Sequence, residues 1–178
     1  MAPPRGASTI FVAAATATAL AVGLGLAEPA QAQGRGCATT AYTDPPREVL
    51  SCPGGVSITA RRDSQYRLID RNRDGRPEGA VLNQGGLLVD TPPRRGPFQI
   101  LTPHAIASVR GTTWAVDVVP TRTSVFVQTG AVDVRRPSGP AVVLRSGDGV
   151  DVQAGTGPLQ VTRWGAGRAA ELLGRFGR

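Results

Sequence analysis

The chain has 178 residues and a formal net charge of +7, with 20 basic residues, all of them arginine, against 13 acidic ones and a single histidine. That length holds one domain, and with only 4% aromatic residues the chain lacks the stacking platform that single-stranded nucleic acid requires. The positive charge therefore points away from nucleic acid. It fits anionic headgroups, acidic envelope polysaccharide or an acidic face on another protein, and equally a set of solvated arginines with no partner.

Residues 1–32 read as a cleaved export signal. Arg5 precedes a weakly apolar run from Ile10 to Ala27, and Ala30 and Ala32, just past helix-breaking Pro29, place the cleavage before Gln33. A run so rich in Ala and Gly partitions weakly into lipid, so no stable membrane anchor is expected and the product is periplasmic or secreted. In that oxidising setting Cys37 and Cys52 are expected to pair, closing an N-terminal segment over 33–55 and stabilising it by about 3 kcal/mol. Gly34-Arg35-Gly36 lacks the apolar residue that precedes a lipid-modified cysteine, and two cysteines with one histidine are too few for a zinc site.

From Val56 onward apolar residues recur in pairs two apart: Val56 and Ile58, Tyr66 and Leu68, Leu87 and Val89, and so on to Leu159 and Val161. Period two marks one face of a strand, and turn residues such as Gly111, Pro120, Gly130 and Gly147 punctuate the pairs. An all-β domain of short strands over 56–162 follows, as a sandwich, a small barrel or a β-solenoid. Val-Asp-Val recurs within it at 116–118, 132–134 and 150–152. Asp70, Asn72 and Asp74 occupy the first, third and fifth places of a calcium loop, with Gly75 sixth and Glu78 ninth. The twelfth place is Val81, and arginines intervene at 71, 73 and 76, so a polar turn between strands is the expected role. Asp90 to Pro97 reads as a surface loop. Over 163–178 the period changes: Ala169, Leu172, Leu173 and Phe176 predict a short amphipathic helix that covers the open end of the β stack and is too small for membrane anchoring.

Few residues carry chemistry. His104 follows Pro103 at a strand entry, where a turn histidine is commoner than a catalytic base, and no phosphate loop or metal-protease motif is present. Ser108, His104 and the aspartates show no triad spacing. Neither an enzymatic activity nor a cofactor is expected.

The most specific pattern runs from Phe98 to Val134. It has a Phe98-x-Ile100-x-Thr102-Pro103 entry, an Arg110-Gly111-Thr112 turn followed by alternating Trp114, Val116 and Val118, then Val125, Val127, Gly130, Val132 and Val134. In that order and spacing it resembles the FecR domain, and Leu82 to Asp90 resembles the strand that precedes the Thr-Pro entry. The resemblance implies a solenoid-like stack over Leu87 to Val152, with a sandwich as the alternative. It also implies that Thr102, Pro103, Arg110, Gly111, Thr112 and Gly130 define the fold. Arg110 is then expected to bridge the carbonyls of neighbouring turns, and Gly111 to supply a dihedral closed to other residues. FecR proteins typically carry a cytoplasmic anti-sigma segment and a transmembrane helix, through which they relay occupancy of an outer-membrane iron-siderophore transporter to a sigma factor. An export signal in place of that segment leaves a non-enzymatic interaction module, binding a periplasmic or cell-surface protein in envelope sensing or signalling. The alternative is an envelope or extracellular polysaccharide-binding protein, with Trp114, Tyr66 or Trp164 stacked on sugars, although alternation turns Trp114 toward the core.

Overall fold

The period-two alternation produces thirteen strands among the described residues, 36–93 and 96–178 of this computed structural model. The expected export signal and its cleavage before Gln33 lie outside the described residues. In chain order the strands are β1 (Ala38–Thr43), β2 (Pro46–Cys52), β3 (Val56–Arg61), β4 (Gln65–Ile69), β5 (Gly79–Asp90), β6 (Phe98–Leu101) and β7 (Ile106–Val109). They continue as β8 (Thr113–Val119), β9 (Arg122–Thr129), β10 (Ala131–Arg135), β11 (Val142–Arg145), β12 (Asp148–Gln153) and β13 (Val161–Arg163), followed by one helix, α1 (Ala166–Gly174).

The twelve-residue β5 belongs to two sheets. Its first half pairs with β4 and β6, and its second half with β3 and β8. Sheet A therefore runs β1-β2-β3-β5-β8-β9-β12-β13, and sheet B runs β4-β5-β6-β7-β10-β11. Four of the passages between the sheets turn on a glycine of positive φ: Gly85 (+85) inside β5, Gly111 (+65) before β8, Gly130 (+93) before β10 and Gly147 (+84) before β12. At Gly85 the reason is also spatial, because a Cβ would meet Ser64 Cα at 2.5 Å.

The inward faces of both sheets share one core. Ile58, Leu82, Leu87, Phe98, Ile100, Trp114, Val116, Val125, Val132 and Leu144 are completely buried in it, each stabilising the fold by about 1.5–3 kcal/mol. Among the described strands every pairing is antiparallel except β5 with β6. Of the two expected arrangements the sandwich is the one found, in place of the solenoid-like stack, and its shared strand draws it toward a barrel. Coils of a solenoid stack in parallel, whereas two-residue turns such as Pro120-Thr121 reverse the chain and make successive strands antiparallel.

Cys37 and Cys52 form a disulfide across the β1–β2 hairpin, and β2 pairs with β3 through its whole length, so this N-terminal segment is part of sheet A. The helix needs a second correction. It does not cover an open end of the strands but lies on the outer face of sheet A, where Trp164, Leu172 and Phe176 pack against Leu88, Ala115 and Phe126. Gly86 and Gly149 make this possible: a Cβ on Gly86 would reach Phe176 Cζ at 2.9 Å, and one on Gly149 would collide with the Trp164 indole. Among the described residues no helix is long and apolar enough to cross a membrane.

Candidate functional site

Both Thr-bearing motifs act as seams. Thr102 N–H donates to the Ala105 carbonyl at 2.9 Å and Thr102 Oγ1 accepts the Ala105 N–H at 2.9 Å, closing the β6–β7 turn that contains Pro103. The same Oγ1 lies 2.9 Å from Thr123 Oγ1 on β9, which ties the turn of sheet B to sheet A. At the other seam, Thr112 Oγ1 donates toward the carbonyls of Arg110 (3.3 Å) and Ala131 (3.0 Å), and the Thr112 N–H donates to Thr91 Oγ1 (3.0 Å). Gly111 cannot carry a side chain there, since a Cβ would meet Pro93 Cα at 2.5 Å, and a Cβ on Gly130 would meet the Gly111 carbonyl at 2.9 Å. The bridging expected of Arg110 thus belongs to Thr112, whose short hydroxyl already reaches both carbonyls. The Arg110 side chain is exposed and makes no hydrogen bond or ion pair with any described residue.

The other polar candidates are absorbed locally. His104 Nδ1 lies 3.2 Å from Thr123 Oγ1, while Ser108 Oγ accepts from Gln99 Nε2 at 2.9 Å, so the two do not form a nucleophile and base. In the 70–78 loop Asp70 accepts the Gly75 N–H (2.9 Å), Asn72 accepts the Asp74 N–H (3.3 Å), Asp74 accepts the Arg76 N–H (2.8 Å) and Glu78 accepts the Arg71 N–H (3.0 Å). One oxygen of each is turned onto the loop's own amides, while Asp70 Oδ1 is buried without a hydrogen-bond partner among the described residues. No group of three His, Cys, Asp or Glu side chains among the described residues converges on a metal position.

A charged constellation that carried no assigned role in the sequence lies under α1. The register places Gly86, Asp117, Ser124 and Asp151 in one row across β5, β8, β9 and β12, beside an apolar row of Leu88, Ala115, Phe126 and Gly149. Trp164 stacks on Phe126 with centroids 5.2 Å apart, and the Arg168 guanidinium covers the indole at 3.5 Å. Arg168 then reaches Asp151 at 2.7 Å, which also accepts from Ser124 Oγ at 2.6 Å. Buried Asp117 takes Arg61 at 2.8 Å and Arg175 at 3.7 Å. Burial pushes the Asp151 carboxyl up, but the hydrogen bonds from Arg168 and Ser124 and the charges of Arg168 and Arg122 outweigh it and hold the group below its ordinary range. The arrangement is a clasp: acids on the sheet face grip arginines on the helix, and the apolar row seats its rings. Two of the three Val-Asp-Val repeats, at 116–118 and 150–152, were the sequence signal for it.

The aromatic rings are committed elsewhere. Trp114 is completely buried and Trp164 is 8% exposed. The Tyr66 hydroxyl donates to Glu48 Oε1 at 2.5 Å, and burial together with that hydrogen bond pushes its pKa strongly up.

The pattern of a FecR protein matches residues 41–133, which is more than half of the chain and runs from within β1 to within β10. The chain belongs to the FecR family. The matched part of this FecR protein contains three of its four glycine passages, Gly85, Gly111 and Gly130. Its fold is similar to that of a "putative anti-sigma factor" from Parabacteroides distasonis ATCC 8503, seen in two crystal structures, each with a TM-score of 0.59 and 17% identity. The match covers 76% and 77% of this chain but 64% of the length of that protein, and at such identity it shows the fold alone. No curated protein matches the chain.

Proposed function

We propose that this FecR-family chain is a non-enzymatic, exported protein-interaction module in envelope sensing or signalling, acting in the periplasm or outside the cell. The observation that carries the proposal is the family match over 41–133, joined to a fold similar to that of a protein described as an anti-sigma factor. The Cys37–Cys52 disulfide supports an oxidising compartment. The family motif residues sit in seams between the two sheets, and such a scaffold offers its remaining surface to a partner. Polysaccharide binding has less support, because Trp114 and Trp164 are buried and the Tyr66 hydroxyl is tied to Glu48. Crosslinking of the native chain in intact cells, followed by identification of the adducts, is expected to return an envelope protein. Recovery of polysaccharide alone would refute the reading.

A further inference from the structure

The two outer sheet faces are built alike, yet only sheet A carries the described helix. On sheet B the register aligns Arg67 (β4), Val81 (β5), Leu101 (β6), Ile106 (β7) and Arg135 (β10) in a single row. Val81, Leu101 and Ile106 are half-buried and belong to neither hydrophobic core. This is the counterpart of the Leu88, Ala115 and Phe126 row that seats α1, with no helix of the described residues on it. The charges are reversed. Beside the apolar row, sheet A presents the acids that grip the helix arginines, whereas the row on sheet B ends in an arginine on each side. Arg67 makes no hydrogen bond or ion pair with any described residue, and Arg135 spends one nitrogen on the Arg136 and Pro137 carbonyls.

We propose that the outer face of sheet B docks an amphipathic helix with acidic flanks, supplied by a different protein; this rests on the interaction-module reading and specifies its surface. Three aliphatic side chains in line match one stripe of a helix at i, i+3 and i+7. Carboxylates flanking that stripe meet Arg67 and Arg135, the same clasp as on sheet A with its signs exchanged. Charge decides against a second copy of the chain as occupant. Two copies face to face bring four arginines of the row together against Asp133 of each, exposed in the neighbouring row, while Asp74 and Glu78 beside Gln99 are matched by Arg71 and Arg76.

The test places a photo-crosslinking residue at Leu101, at Ile106, or at exposed Tyr42 on β1 as a control, in the full chain within its native cells. The expected adducts at 101 and 106 carry peptides of one other protein, with apolar residues at helical spacing and Asp or Glu beside them. Arg67→Glu combined with Arg135→Glu lowers their yield about tenfold while the melting temperature stays that of wild type. Adducts at 101 and 106 with a second copy, with lipid or with polysaccharide overturn the proposal, as does a yield that ignores the charge reversal. Protein adducts from Tyr42 alone overturn this surface but leave the interaction module standing. If no position gives a protein adduct and chemical crosslinking of the unmodified chain is equally empty, both readings fall.

Discussion

Sheet A and sheet B share a strand and a core, yet their outer faces are finished differently. On sheet A, Trp164, Leu172 and Phe176 close over Leu88, Ala115 and Phe126, and Asp117 and Asp151 hold the helix by its arginines. On sheet B a row of Val81, Leu101 and Ile106 stays half-exposed between two arginines. The difference separates two kinds of apolar surface: one covered from within the chain, the other left open among the described residues.

The largest expected effect breaks or upholds that distinction directly. Phe126→Ala removes a ring sandwiched between sheet A and Trp164, and should lower unfolding stability by about 3–5 kcal/mol. Leu101→Ala on sheet B should cost under about 1 kcal/mol, since that side chain already meets solvent. Urea denaturation of the two variants measures both. Equal losses would mean that the sheet B face is as covered as that of sheet A, and the contrast would disappear.

The seam between the sheets sharpens the comparison at intermediate size. Gly111→Val forces a β-branched residue to φ +65 and drives a Cβ toward Pro93, at a cost on the order of 1–3 kcal/mol. Arg110→Ala, one residue earlier, should leave stability within about 0.5 kcal/mol of wild type, because Thr112 does the bridging. A thermal melt showing Arg110→Ala as damaging as Gly111→Val would return the structural role to the arginine.

Much of this was legible in the sequence, and the failures share a cause. Alternation such as Val116 and Val118, or Val132 and Val134, correctly marks inward faces, because period two is a property of a single strand. It does not say which sheet a strand joins. Gly111, Gly130 and Gly147 were visible as turn residues, but a glycine that ends a solenoid coil and one that carries the chain between sheets look the same in a string of letters. The helix at Leu172 and Phe176 was visible by its period, while its seat was not: that depends on Gly86 and Gly149, whose missing side chains admit the rings, and on Asp117 and Asp151, which the register brings into one row with Ser124. Thr112 is expected to define the fold, but the bridging of carbonyls is assigned to Arg110 because a guanidinium suggests more hydrogen bonds than a hydroxyl. At a tight turn, reach matters less than fit.

The smallest expected effect concerns the clasp itself. Arg168 and Asp151 are 42% and 34% exposed, so solvent screens their pair and its worth is about 0.5 kcal/mol. Its pH dependence still identifies it. The Asp151 carboxyl is held below its ordinary value in the fold, so its contribution is fully present above the unfolded pKa, near 3.8, and is lost as pH falls through the lower folded value. The melting temperature of wild type should therefore exceed that of Asp151→Asn by a steady margin from neutral pH down to about 4, and the margin should close below it. Asn keeps an acceptor for Ser124 and loses only the charge that Arg168 grips, so the closing margin reports the helix clasp and not the strand. A margin unchanged down to the most acidic pH at which the protein still folds would mean that the Asp151–Arg168 charge pair does not hold α1, leaving the rings and the Asp117–Arg175 pair as what distinguishes the covered face from the open one.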